Sequence, residues 1–214
     1  MTVSVLGISG SPRIRGNTEK LLDAFLKGAE EAGGDVEKVL LKKLSFRSCM
    51  GCNKCHKTGV CIVKDDLTPL LERIAETDVL VLSSPIYSMG ITSELKALID
   101  RGQFLWARKF VLRNFEFSAE HIKLHKGIFI STAGQDTNNV FLGAYPVLTA
   151  FFNDFGIDYY ENITVKGMDR WGGIEGHPDA LPDAEKKGAE IVMMMEDLKK
   201  STAAEKKESQ ESRQ

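Results

Sequence analysis

No run of apolar residues in this 214-residue chain approaches the roughly 18 needed to cross a bilayer. Charge of one sign is also missing. The 28 Lys and Arg are balanced by 30 Asp and Glu, giving a formal net charge of −2. With the basic residues scattered, neither a nucleic-acid-binding surface nor a polybasic membrane anchor is expected. The first twelve residues carry no basic segment ahead of their apolar stretch and no cleavage pattern. No signal peptide is therefore expected, and the cytoplasm is the expected compartment. The chain has neither the Lys-bearing G-x-x-x-x-G-K-[ST] loop nor a G-x-G-x-x-G turn. Cysteine is scarce: there are four, all between positions 49 and 61. In a reducing compartment a disulfide framework is not expected, which leaves one thiol-rich loop to explain; outside one, a disulfide or redox-sensing pair stays open.

What is there suits a single globular domain. Apolar residues make up 43% of the chain, enough for a sizeable core but cramped for two. The expected domain runs over 1–198. Residues 199–214 are polar, without a large apolar side chain, and are expected to form a disordered tail.

Short β-branched runs alternate with amphipathic stretches. Strands are expected at 3–9, 35–44, 78–85, 127–132 and 157–165. Helices are expected at 17–34, 67–77, 92–102, 140–156 (with a kink or late start at Pro146) and 181–200. This alternation predicts an α/β three-layer sandwich, a five-stranded parallel sheet with helices on both faces. The predicted strand order is the flavodoxin-like 2-1-3-4-5, joined by right-handed crossovers. Met193 to Met195 read as core-facing residues of the last helix. His56 reads as a solvent-facing loop residue. His121, His125 and His177 lack metal-ligand spacing to one another.

In such a sheet a ligand sits beyond the carboxyl ends of the strands, where the order reverses. Three loops converge there. The first, 9–18, is rich in small polar residues and opens a helix, so its backbone N–H groups and the helix N-terminus suit a phosphate. Ser9, Ser11, Asn17 and Thr18 offer donors and Arg13 offers charge. An ordinary turn with Asn17 as its N-cap would look similar. The second, 83–92, carries Pro85, Tyr87, Ser88, Met89 and Gly90, which suit a flat ring or a plain exposed turn. The third, 131–139, carries Thr132 to Gln135, which could meet a heterocycle edge or cap a helix.

Cys49, Cys52, Cys55 and Cys61 have the spacing C-x2-C-x2-C-x5-C. Ligands at about every third residue let successive thiolates reach different irons of a cubane. Tetrahedral zinc usually shows two separated C-x-x-C knuckles, and thiols that hold nothing remain a third reading.

Together, "GSPRIRGNT", the cysteine motif running into "GVCIVKDD", and "SSPIYSMGITSELKALIDR" resemble the NAD(P)H-dependent FMN reductase-like branch of flavodoxin-fold proteins. Within it, the chain is similar to the iron–sulfur flavoproteins, and the likeness extends to "HPDALPDAEKKG" at 177–188. The resemblance implies one FMN per chain. Its phosphate would rest on Ser9, Ser11, Arg13, Asn17 and Thr18, and its ring would lie along Pro85, Ile86, Tyr87, Ser88, Met89 and Gly90. Thr132, Ala133 and Gly134 would approach from the third loop. It also implies a [4Fe–4S] cluster on Cys49, Cys52, Cys55 and Cys61 within the loop 46–64. The implied function is an oxidoreductase passing electrons through cluster and flavin to a small acceptor. A ferredoxin-like protein or NAD(P)H is the implied donor. A cluster-free FMN or quinone reductase and a flavodoxin-like electron carrier are the alternatives. The resemblance further implies a homo-oligomer, a dimer or tetramer. The aromatic stretch at 104–117 (Phe104, Trp106, Phe110, Phe115 and Phe117, with Leu112) reads as its interface.

Overall fold

The computed structural model describes residues 2–211. Five parallel strands form one sheet in the order β2-β1-β3-β4-β5. They are β1 (Ser4–Ser9), β2 (Asp35–Leu40), β3 (Val79–Pro85), β4 (Lys126–Thr132) and β5 (Asp158–Val165). This is the flavodoxin-like order the alternation predicts. The helices are α1 (Asn17–Glu31), α2 (Cys55–Thr58), α3 (Leu67–Glu76), α4 (Ser93–Arg101), α5 (Gln103–Trp106), α6 (Ala119–Leu124), α7 (Tyr145–Asp154), α8 (Met168–Trp171) and α9 (Ala180–Glu211). A single π-helical turn at 107–111 continues α5.

The inner strands point alternate residues to opposite faces, and both faces are covered. Val5, Val79, Val81, Ile128 and Ile130 pack with Leu21, Leu22 and Phe25 of α1 and with Val192 and Met195 of α9. Leu6, Ile8, Leu80, Leu82 and Phe129 pack with Leu70 and Leu71 of α3, Leu95 and Leu98 of α4, and Phe151 and Phe152 of α7. α1 and α9 cross closely because glycine lies at both contacts. A β-carbon on Gly28 would stand 1.8 Å from the Glu185 carbonyl oxygen, and one on Gly188 would stand 1.9 Å from that of Phe25.

Several expectations need correction. β2 ends at Leu40, and a 3₁₀ turn follows at 41–43. α7 does start late, with Pro146 in its first turn, where a missing N–H costs nothing. The expected tail from 199 onward is helical to Glu211, with 212–214 outside the described residues. Composition misled here because Ala, Lys and Glu are also strong helix formers. Tertiary contacts favour the helix too. Lys199 pairs with Asp78 at 2.5 Å, Lys206 pairs with Glu120, and Thr202 is buried. Of Met193 to Met195, only Met195 is buried, while Met193 is exposed.

Candidate functional site

The first loop leaves β1 at Ser9 and enters α1 at Asn17, and its shape is held from within. The Ser9 hydroxyl accepts from the Ser11 N–H at 3.4 Å, and the Ser11 hydroxyl accepts from the Arg13 N–H at 3.2 Å. Arg15 takes a left-handed conformation at φ 57°, and its N–H donates to the buried Glu19 carboxylate at 2.7 Å. Burial raises the Glu19 pKa, but Lys38 and the Arg15 N–H outweigh it and hold the carboxyl below its usual range. Asn17 is not the N-cap. Gly16 takes that position, and α1 begins without any side-chain cap. The Asn17 side-chain oxygen instead accepts from the Ile174 N–H at 3.1 Å. That leaves its amide N–H₂, and the first N–H groups of the helix, to serve an anion. Arg13 stands exposed at the rim.

Buried hydroxyls tie the three loops together. The Gly10 N–H donates to the Ser83 carbonyl at 2.8 Å, and the Thr92 hydroxyl donates to the Gly10 carbonyl at 2.6 Å. The Ser131 hydroxyl donates to the Ser84 carbonyl at 2.6 Å, and the Thr18 and Thr132 hydroxyls share a 2.5 Å hydrogen bond. The Ile86 N–H donates to the Thr132 carbonyl at 3.0 Å. Thr92 also caps α4 by accepting from the Leu95 N–H. Ser83, Ser84, Thr92 and Ser131 were not singled out from sequence. The only signal was hydroxyl residues at strand ends inside apolar runs.

In the second loop Tyr87 and Gly90 exchange both backbone hydrogen bonds, at 2.9 and 3.0 Å. Ser88 and Met89 between them have φ of 49° and 66°, a type I′ turn made without glycine. Two non-glycine residues in the left-handed region store strain of the kind found at ligand sites. Tyr87 and Met89 are about two-fifths exposed, apolar surface offered to solvent at the switch point. The turn is seated against the segment that leads into α7. A β-carbon on Gly143 would stand 2.2 Å from the Met89 carbonyl oxygen. Ala133 donates its N–H to Val165, and Gly134 lies against the Asp169 carboxylate. The structure thus brings Ser9, Ser11, Arg13, Asn17 and Thr18, the 85–90 turn, and Thr132, Ala133 and Gly134 to one end of the sheet.

The cysteine loop follows β2. Gly51, Asn53 and Gly59 take left-handed conformations, at φ of 64°, 53° and 72°, so the chain turns sharply between successive cysteines. Cys49, Cys52, Cys55 and Cys61 are all free thiols. All four line one cavity of about 170 Å³, together with Met50, Val63, Arg101 and Phe104. Burial raises the Cys55 pKa, and the neighbouring Cys49, Cys61 and Cys52 raise it further. Among the described residues no three Cys, His, Asp or Glu side chains converge closely enough to hold a single metal ion. His56, expected to face solvent, instead packs on Trp106 with ring centroids 5.8 Å apart.

Arg101, at the end of α4, was not singled out from sequence. It is 2% exposed. It donates to the Asp65 carboxylate at 2.7 Å and to the Arg47 and Val63 carbonyls at 3.0 Å each. Burial opposes its charge, but Asp65 and Cys61 outweigh that and raise its pKa. The Asp65 carboxylate also accepts from the Arg47 and Leu67 N–H groups.

A doubly wound parallel sheet of this order, with a polar loop after β1 and an apolar turn after β3, defines a flavodoxin-like fold. The sequence profile of the NADPH-dependent FMN reductase family matches residues 3–135, and the chain belongs to that family. It is 40% identical over 99 residues to an iron–sulfur flavoprotein of Archaeoglobus fulgidus, covering 46% of this chain and 45% of that one. It is 36% identical over 140 residues to one of Methanocaldococcus jannaschii, covering 65% and 72%. This chain thus spans less than half of the first relative's length. Among solved structures a flavone reductase superposes with a TM-score of 0.65 at 21% identity, over 92% of this chain and 64% of that one. That likeness bears on the fold. Among the described residues no helix is long and apolar enough to cross a membrane.

Proposed function

We propose that this chain is an iron–sulfur flavoprotein that moves electrons between a [4Fe–4S] cluster on Cys49, Cys52, Cys55 and Cys61 and an FMN held by the three sheet-end loops. The observation that carries the reading is the set of four reduced cysteines around one cavity, on a chain of an FMN-using family. A single zinc ion needs all its sulfurs at about 2.3 Å from one point. A cubane takes one thiolate at each of four iron corners, so its ligands surround a volume instead of meeting at a point. The lining of one cavity by all four cysteines supports the second demand. When bound, the cluster would supply one-electron transfer and the flavin one- or two-electron transfer.

The residues of the chain do the positioning. The uncapped start of α1, the Asn17 amide and Arg13 fit the phosphate. The strained 88–89 turn and Tyr87 fit a flat ring, and Thr132 to Gly134 its edge. NAD(P)H or a ferredoxin-like protein is the donor in this reading, a small molecule the acceptor, and a homo-oligomer the working form.

Anaerobic purification with a count of FMN, iron and acid-labile sulfide tests the reading. One FMN and about four irons and four sulfides per chain are expected. FMN without iron or sulfide, even after reconstitution, would leave the cluster-free reductase. Absence of bound FMN would remove both.

A further inference from the structure

The guanidinium of Arg101 makes three hydrogen bonds, all to the two ends of the cysteine loop. Arg47 lies two residues before Cys49, and Val63 and Asp65 lie two and four residues after Cys61. The side chain is 1% exposed, and its Nε–H is buried with no partner among the described residues. Arg101 also lines the cavity that holds the four thiols. A buried donor left unpaired is costly, and a positive charge costs more, so a retained one points to a partner not yet counted. Four thiolates around an iron–sulfur core make a negatively charged object, and the cavity wall has one buried cation.

We propose that Arg101 is the positioning residue of the cysteine loop, clamping its two ends and presenting its unpaired Nε–H to the cluster side of Cys61. This rests on the cluster reading above. Electron uptake adds negative charge to the cavity, so a fixed cation there favours the reduced state. Asp65, the anion that compensates Arg101, disfavours it. Sequence separation hid this arrangement, because Arg101 is 40 residues beyond Cys61 and joins the loop only through the packing of α4.

The test uses the full chain, prepared anaerobically as wild type, Arg101→Gln, Arg101→Lys and Asp65→Asn. Each is titrated for the cluster's reduction potential and followed by amide exchange over residues 47–65. FMN content serves as a check on the fold. Arg101→Gln should lower the potential and Asp65→Asn should raise it. Both should speed exchange in the loop by tenfold or more. Arg101→Lys keeps the charge but not the fork, so its potential should stay near wild type while the loop exchanges faster. If Arg101→Gln fails to load iron, the upward shift of Asp65→Asn and the retained potential of Arg101→Lys still carry the sign. Equal potentials in all four proteins, or shifts of one sign in Arg101→Gln and Asp65→Asn, would overturn the proposal alone. A wild type without iron or sulfide would overturn it together with the cluster reading.

Discussion

At the scale of single residues, burial decides which charges matter. Asp154 ends α7, where the carbonyl end of the helix dipole already disfavours an anion. Burial raises its pKa to about 6, against a weak opposing pull from Lys109. A carboxyl whose folded pKa lies above its unfolded value holds its proton more tightly in the fold. Stability is therefore lost as pH rises from about 4 through about 6, and the loss is complete above that window. Asp154→Asn removes the charge and should stabilise the protein at pH 8. Discounted for partial exposure, the gain should be on the order of 1–2 kcal/mol, vanishing below about pH 4. Denaturation midpoints of both proteins across pH 3.5–8 check this. A pH-independent difference would mean that the charge is not responsible.

At the scale of elements, the turn after β3 carries the most information. Alternating apolar runs locate the strand, but nothing in "YSMG" announces two left-handed residues without glycine. Tertiary contact holds them there, the Met89 carbonyl being pressed against Gly143. Gly143→Ala should push the turn out of place. FMN affinity should fall by about tenfold, equivalent to about 1.4 kcal/mol, while the far side of the sheet is undisturbed. Flavin titration by fluorescence quenching measures it. An unchanged affinity would remove the 85–90 turn from the ring site.

At the scale of the whole molecule, the aromatic segment 104–117 is divided. Phe104 packs edge-on against Phe155 and Phe115 edge-on against Phe117, and Phe104 and Phe115 both rest on the core. Part of the stretch thus covers its own domain, while Trp106, Leu112 and Phe117 stay half-buried. Phe110 and Val111 on the π-helical turn remain about half exposed. Phe110→Asp with Val111→Asp should shift a dimer or tetramer to monomer if the remaining patch is an interface. Light scattering at micromolar concentration checks both proteins. A monomeric wild type would end the oligomer reading.

The amino-acid sequence by itself determined the alternation of strands and helices and the strand order, because hydrophobic periods of 2 and 3.6 are local properties. It also brought out the loop compositions and the cysteine spacing, which lie within short stretches of chain. Tertiary structure alone decided what long-range packing brings together. It gave Asn17 to the Ile174 N–H rather than to a cap, and linked Thr18 to Thr132 across 114 residues. It extended α9 to Glu211, where composition predicts a free tail. It also seated Arg101 of α4 against the cysteine loop. In each case the deciding partner is far away in sequence, and only the closed sheet with both faces covered brings the two within hydrogen-bonding distance.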